Sequence, residues 1–144
     1  TNQQVLSSKN CKDMNIKQET LNLITEGMRQ ACTEGGTAYP LFDVKVPSLT
    51  PTTSDASPSA SFKHIPVACK TGTAEFGDPN GKTHAWITLF TPIPEKLVPA
   101  SQRNAQTITS EPEISVTVLV EEGGEGSSVA APVAKKILEY WFSR

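Results

Sequence analysis

Ile65-Pro66-Val67-Ala68-Cys69-Lys70-Thr71-Gly72-Thr73-Ala74-Glu75-Phe76, then Gly77-Asp78-Pro79-Asn80-Gly81-Lys82, then Thr83-His84-Ala85-Trp86-Ile87-Thr88-Leu89-Phe90-Thr91, is the stretch on which the fold turns. Two β-rich runs flank an Asp-Pro-Asn-Gly turn signal, a pattern that predicts an antiparallel hairpin. Side chains along a strand alternate, so Thr71 and Thr73 share one face while Lys70 and Gly72 share the other. Two hydroxyls about 7 Å apart on one face, with a cation one residue before them, suit a ligand that carries a carboxylate. A glycine at 72 removes a side chain where another backbone or a helix approaches closely.

Outward from the hairpin, Ile114 to Glu121 forms a third β-rich run that alternates and then becomes continuously apolar, as an inner strand does. Glu121-Glu122-Gly123-Gly124-Glu125-Gly126 reads as a flexible turn; three carboxylates and no lysine make it a poor phosphate loop. A last helix is predicted from Ser127 or Ser128, with Val129, Val133, Ile137 and Trp141 on one stripe and Lys135 and Lys136 on its polar side. Toward the N-terminus, a helix is predicted from Asn15, with Asn15 and Gln18 as a capping box and Glu19 in the first turn. Leu21, Ile24, Met28 and Cys32 form its apolar stripe, Gly27 permits close packing, and Gly35-Gly36 ends it. Residues 1–14 are polar and weakly patterned, with at most a short strand around Val5-Leu6. Pro47 to Ser61 is too rich in Pro, Ser, Thr and Ala to build a core, Pro92 to Pro112 is long and polar, and the two segments, about 43–62 and 93–112, read as loop insertions. Helix, three antiparallel strands and helix make an α+β layer.

The whole chain has 144 residues, with 13 basic and 15 acidic side chains and a net charge of −2. That length is one domain, or part of a larger one. A pI near 5.7 and the lack of a basic cluster exclude nucleic acid as the main partner. No apolar run approaches the roughly 20 residues of a membrane span, so the chain itself reads as soluble. Three cysteines, Cys11, Cys32 and Cys69, have no C-x-x-C spacing, and an odd number cannot pair completely within one chain. Cys32 and Cys69 therefore read as small buried thiols. His64 and His84 stand far apart, no cluster has metal-ligand spacing, and no metal or cofactor is expected.

Alone, Lys-Thr-Gly is common by chance, and an ordinary set of strand residues is its plain alternative. Its surroundings are more specific. Lys70-Thr71-Gly72-Thr73-Ala74-Glu75, then His84-Ala85-Trp86, then Ile114 to Val120 closing on Gly126-Ser127-Ser128-Val129-Ala130-Ala131-Pro132, resembles the C-terminal part of a class B penicillin-binding protein transpeptidase domain. Glu26-Gly27-Met28-Arg29 and Gly35-Gly36-Thr37-Ala38 are similar to the helix and turn that precede the K-T-G strand in that family. The resemblance covers most of the chain in order, apart from the two loop segments.

The resemblance implies the serine β-lactamase-like fold and a peptidoglycan-cross-linking serine DD-transpeptidase. Such an enzyme acylates its serine with the D-Ala-D-Ala peptide, releases D-Ala, and passes the acyl group to an amine; β-lactams mimic the dipeptide. Lys70 would contribute electrostatics and hydrogen bonds, and the Thr71 and Thr73 hydroxyls would hold the ligand carboxylate. The Thr73 N–H would serve the oxyanion hole, and Gly72 would mark where the strand passes close to the helical lobe. The implied partners are a peptidoglycan stem peptide or β-lactam and the remaining transpeptidase lobe. The parent protein would be membrane-anchored and extracytoplasmic.

The family pattern also requires S-x-x-K, and no serine of this chain, Ser59 and Ser61 included, has a lysine three places on. Ser8-Lys9-Asn10 fits S-x-N literally but stands just before the first helix, where that motif does not belong. The expectation is a nucleophile upstream of Thr1 and a chain inactive alone. A non-catalytic interaction module on the same scaffold is the rival, and an unrelated α+β binding domain is a third reading. Glu75 reads as a solvated or paired charge, His84 and Trp86 as packed beneath the hairpin, and His64 as exposed. The face with Lys70 and Gly72 is expected to be open, and to favour self-association if apolar.

Overall fold

The computed structural model describes residues 13–47, 62–98, 100, 107 and 110–144. Helix α1 (Gln18–Ala31) is followed by a 3-10 turn at Tyr39–Leu41 and strand β1 (Lys45–Pro47). Strand β2 (Phe62–His64) pairs antiparallel with β1, matching Val46 to Lys63. Strands β3 (Ala68–Glu75), β4 (Thr83–Thr91) and β5 (Ile114–Val120) form a second antiparallel sheet in that order. A π-helical turn at Gly126–Ala130 leads into helix α2 (Ala131–Ser143). The α+β arrangement of two helices and three main strands is therefore present, with β1 and β2 added from the margins of a segment read as loop. The interiors of both loop segments, the 5–6 strand, Ser8–Asn10, Cys11, Ser59 and Ser61 lie outside the described residues.

The hairpin forms where the turn chemistry places it. Asp78 Oδ2 accepts the backbone N–H groups of Asn80 and Lys82 at 2.8 and 3.2 Å, and Gly81 has φ +70°, a left-handed conformation that glycine adopts without a Cβ penalty. Lys70 faces Thr88, Gly72 faces Trp86 and Thr73 faces Ala85 across the β3–β4 pair. Ala85, Ile87 and Leu89 of β4 point into the core with Cys69, Val116 and Leu138. Burying such an aliphatic side chain stabilises the fold by roughly 1.5–3 kcal/mol.

Helix α2 uses a face other than the predicted one, and helix α1 turns inward only the C-terminal half of its predicted stripe, Met28 and Cys32. Helix α1 begins at Gln18 without a side-chain cap, and Asn15, at φ +52°, donates its backbone N–H to Asp13 rather than capping. Gln18 bonds Asn22 instead. Leu21 and Ile24 remain exposed, and a Cβ on Gly27 would meet nothing, so no close packing occurs there. The buried end of α1 is its last turn, where Arg29 and Cys32 go inward. Helix α2 buries Ala131, Ala134 and Leu138, leaving Val133 and Ile137 exposed. Ala131 and Ala134 let the first turns of α2 lie close to the core, and Val133 and Ile137 fall on its outer side.

Cys32 and Cys69 are not free thiols: they form a disulfide, with Cα atoms 5.9 Å apart and 37 residues between them in sequence. The third cysteine, Cys11, lies outside the described residues, so an odd count did not prevent this pair. His64 is half-buried rather than exposed, with its Nε2 on the Phe42 carbonyl at 2.9 Å. The turn after β5 is also tied down. Gly124 N–H donates to the Thr83 carbonyl, Thr83 Oγ1 donates to the Gly124 carbonyl, and Lys82 pairs with Glu122.

Candidate functional site

Strand β3 stands at one edge of its sheet, so half of its backbone groups face away from the partner strand. Its first residues, Ala68 and Cys69, are fully buried, whereas Lys70 and Thr73 are exposed and Thr71 and Gly72 are half-buried. The strand thus leaves the core at Lys70, bringing the four predicted site residues onto one short open stretch.

Helix α1 straddles the start of this strand. Cys32 reaches Cys69 on one face, while Met28 packs with Ala68 and Phe90 on the opposite one. Beyond α1, the Thr71 hydroxyl donates to the Thr37 hydroxyl at 3.3 Å. Cys69, Thr71 and Thr73 therefore share the helix-side face, as alternation requires, and Lys70 and Gly72 share the other. On that other face Lys70 lies in register with Thr88 and Thr117, whose hydroxyls bond each other at 2.9 Å. The Lys70 ammonium turns back to donate to the Thr71 carbonyl at 2.6 Å, and it has no carboxylate partner among the described residues.

Gly72 has two close neighbours. A Cβ there would lie 3.1 Å from the Cβ of Trp86, its cross-strand partner. From behind, Gly126 presses onto the strand pair: a Cβ on Gly126 would sit 2.1 Å from the Trp86 carbonyl oxygen and 2.6 Å from that of Gly72. The glycine whose missing Cβ admits the π-helical turn is thus Gly126, whereas a Cβ on Gly72 would meet only the Trp86 side chain.

Charge around the strand is arranged in two pairs. Arg29, 8% exposed, makes two hydrogen bonds to Glu26, at 2.8 and 2.7 Å, and these hold the Glu26 carboxyl below the usual carboxylate range. At the hairpin tip, the hydrogen bond from Lys82 lowers Glu122 in the same direction. Glu122 N–H donates to His84 Nδ1 at 3.0 Å, and the His84 ring stacks on Phe76 at 4.2 Å. With its Nδ1 accepting that bond, His84 serves here as a structural fastener. Glu75 is exposed.

Two cavities lie beside α1 rather than over Lys70–Thr73. One, about 110 Å³, is lined by Arg29, Cys32, Leu41 and His64. The other, about 500 Å³, runs between Leu21, Ile24 and Met28 on one side and Phe90 and Leu97 on the other. Among the described residues no group of three His, Cys, Asp or Glu side chains is placed to hold a metal ion. No helix among them is long and apolar enough to cross a membrane.

Lys70, Thr71, Gly72 and Thr73, singled out by their motif, stand together on β3. The Thr37–Thr71 bond and the Cys32–Cys69 link beside them have no counterpart in the sequence reading. Only the Gly35-Gly36 turn just before Thr37 marked a place where the chain reverses toward the strand.

Comparison with known proteins gives the chain its relatives. The chain is 36% identical over 78 residues to the peptidoglycan D,D-transpeptidase PbpA of Mycolicibacterium smegmatis, a match covering 49% of this chain and 13% of that protein. It is 33% identical over 61 residues to the peptidoglycan D,D-transpeptidase MrdA of Haemophilus influenzae, covering 42% of this chain and 7% of that one. The chain thus matches only a small part of the length of these relatives. No solved structure matches it. The penicillin binding protein transpeptidase domain family matches residues 4–139, nearly the whole chain, and this chain belongs to that family.

Proposed function

We propose that this chain is the sheet half of a peptidoglycan-cross-linking transpeptidase site, and that Lys70, Thr71, Gly72 and Thr73 bind the D-Ala-D-Ala or β-lactam end of the ligand. The observation that carries the reading is the position of Lys70–Thr73 on the open edge of β3, with an ammonium that no carboxylate neutralises among the described residues. In this reading the Thr71 and Thr73 hydroxyls hold the ligand carboxylate in hydrogen bonds strengthened by its charge. Lys70 adds a positive field, and the Thr73 N–H donates to the oxygen of the attacked carbonyl as negative charge develops there. Gly72 keeps the strand free of a side chain between these two contacts.

The nucleophilic serine of this reading comes from outside the 144 residues, because the chain contains no S-x-x-K. The lobe that supplies it covers the face bearing Lys70 and Trp86, and the chain alone is inactive. The disulfide fits an oxidising compartment, and with it a parent protein that works in the cell envelope outside the cytoplasm.

Intact-mass spectrometry after incubation with a fluorescent penicillin tests the reading on this chain and on the intact natural protein. Labelling of the intact protein alone, reduced by Thr73→Ala, is the expected result. Stoichiometric labelling of the 144-residue chain would place an activated serine within it and overturn the assignment. If neither is labelled, the scaffold serves as a non-catalytic interaction module. Sedimentation of the chain shows whether its open face pairs with a second copy.

A further inference from the structure

The turn that follows α1 is anchored more firmly than a surface turn requires. Its first residue, Cys32, is covalently bound to Cys69, and its sixth, Thr37, shares a hydrogen bond with Thr71. Between these anchors Gly36 N–H donates to the Thr33 carbonyl at 2.9 Å, and Ala38 N–H donates to the Ala31 carbonyl at 2.8 Å. Gly36 lies so close to the helix end that a Cβ would be 2.5 Å from the Gln30 and Ala31 carbonyl oxygens. Ala38 is completely buried. The turn is a short rigid bracket, gripping β3 at two successive positions of one face, 69 and 71. The next position on that face is Thr73.

We infer that this bracket is a positioning device for carboxylate recognition: Thr37 and the Cys32–Cys69 disulfide hold the Thr71 hydroxyl in place for the ligand. The inference rests on the proposed binding role of Thr71. Neither Thr37 nor the disulfide touches the reacting atoms. Thr71 donates to Thr37 in the unliganded chain. A hydroxyl carries one proton and two lone pairs, so the direction of a hydroxyl pair reverses by rotation alone. When a carboxylate arrives, Thr71 turns its proton to the anion and Thr37 donates to the Thr71 oxygen. Thr71 is then fixed from three sides: its oxygen by Thr37, its carbonyl by the Lys70 ammonium, and its strand by the disulfide one residue before Lys70. A disulfide at 69 serves this purpose because Cys69 is the last buried residue before the strand emerges.

The test compares acylation of the intact natural protein by benzylpenicillin and by its methyl ester, which lacks the carboxylate. The ratio of the two second-order rate constants reports carboxylate recognition. Loss of folded protein lowers both rates equally and leaves the ratio unchanged. Thr37→Val removes the donor at nearly constant shape, Thr37→Ser restores it, and Cys32→Ala/Cys69→Ala releases the strand. The expected result is a fall in the ratio of about tenfold in Thr37→Val, recovery in Thr37→Ser, and a comparable fall in the double cysteine variant. A ratio within twofold of the unmodified protein's in either Thr37→Val or the cysteine variant overturns the inference. An unmodified protein that acylates with no preference for the acid over the ester overturns the proposed role of Thr71 itself, and the bracket falls with it.

Discussion

The two faces of the three-stranded sheet are built from the same strands by opposite rules. On the helix side, Cys69, Ala85, Ile87 and Leu89 are at most 1% exposed. On the other side, Trp86 and Leu119 are 37% and 42% exposed, beside Lys70 and the Thr88–Thr117 hydroxyl pair. One face is closed by alanines and a glycine that admit α2 at short range. The other keeps large side chains with nothing among the described residues packed over them to the same depth. Stability is thus concentrated on one face, while the proposed site residues, Lys70–Thr73, sit where the strand leaves the core.

The contrast is broken most sharply at Gly126. Gly126→Ala places a methyl carbon into backbone oxygens of both β3 and β4, which cannot swing away as a side chain does. We expect a loss of more than about 3 kcal/mol in urea unfolding, with the intact protein depleted in soluble expression. A change below about 1 kcal/mol would show that the turn relaxes freely and that the close approach is not what sets the face.

Next in size is the disulfide. Closing a loop across 37 residues removes conformations from the unfolded chain, and its loss costs about 2–4 kcal/mol. Reduction with dithiothreitol, followed by urea unfolding, is expected to show that loss. Hydrogen exchange should quicken at 68–72 more than at 116–120, because the bridge ties the edge strand and leaves β5 alone. Equal acceleration in both strands would mean that the bridge stabilises the domain only globally.

A paired substitution measures the two faces directly. Leu89→Ala empties a core position and Leu119→Ala trims a half-exposed one. The first should cost about 2 kcal/mol more than the second. Equal costs in this chain would break the contrast between the faces, whereas equal costs in the intact protein are what the proposed lobe predicts, since it covers Leu119 there. The same pair measured on this chain and on the intact protein therefore locates the lobe.

These comparisons also mark what the sequence could and could not carry. The sheet was readable because alternation in β3 and β5 and the Asp-Pro-Asn-Gly turn are local signals, and Lys70–Thr73 because the motif is contiguous. The buried face of α2 and the N-terminal half of the α1 stripe escape such reading, because bulk is not the mark of burial there. Ala131 and Ala134 are buried for being small, and Leu21 is exposed despite being large. The Cys32–Cys69 bridge and the Thr37–Thr71 bond join residues 37 and 34 apart in sequence, and no local pattern encodes such a meeting. Gly27 carried a packing role in the sequence reading and meets nothing in the fold.

The smallest effect concerns two carboxylates with the same direction of shift and different surroundings. Hydrogen bonds from Arg29 lower Glu26, and the one from Lys82 lowers Glu122. A carboxyl whose folded pKa is depressed stabilises the fold above its unfolded pKa, and that contribution disappears as pH falls through the folded value. For Glu26 the loss therefore begins below the ordinary value of 4.5. Its partner decides whether the loss is measurable. The Arg29 side chain is 10% exposed and Glu26 36%, so the pair is screened from the Glu26 side only. After the discount for that exposure, the contribution of the charge is below about 1 kcal/mol. Glu26→Gln should thus be less stable than the unmodified protein at pH 7, and the gap should close as pH falls below 4.5. Glu122→Gln, in the exposed turn after β5, should track the unmodified protein at every pH. A gap for Glu26→Gln that stays constant with pH would mean that hydrogen-bond geometry between Glu26 and Arg29 within α1, rather than the carboxylate's charge, carries the pair's contribution.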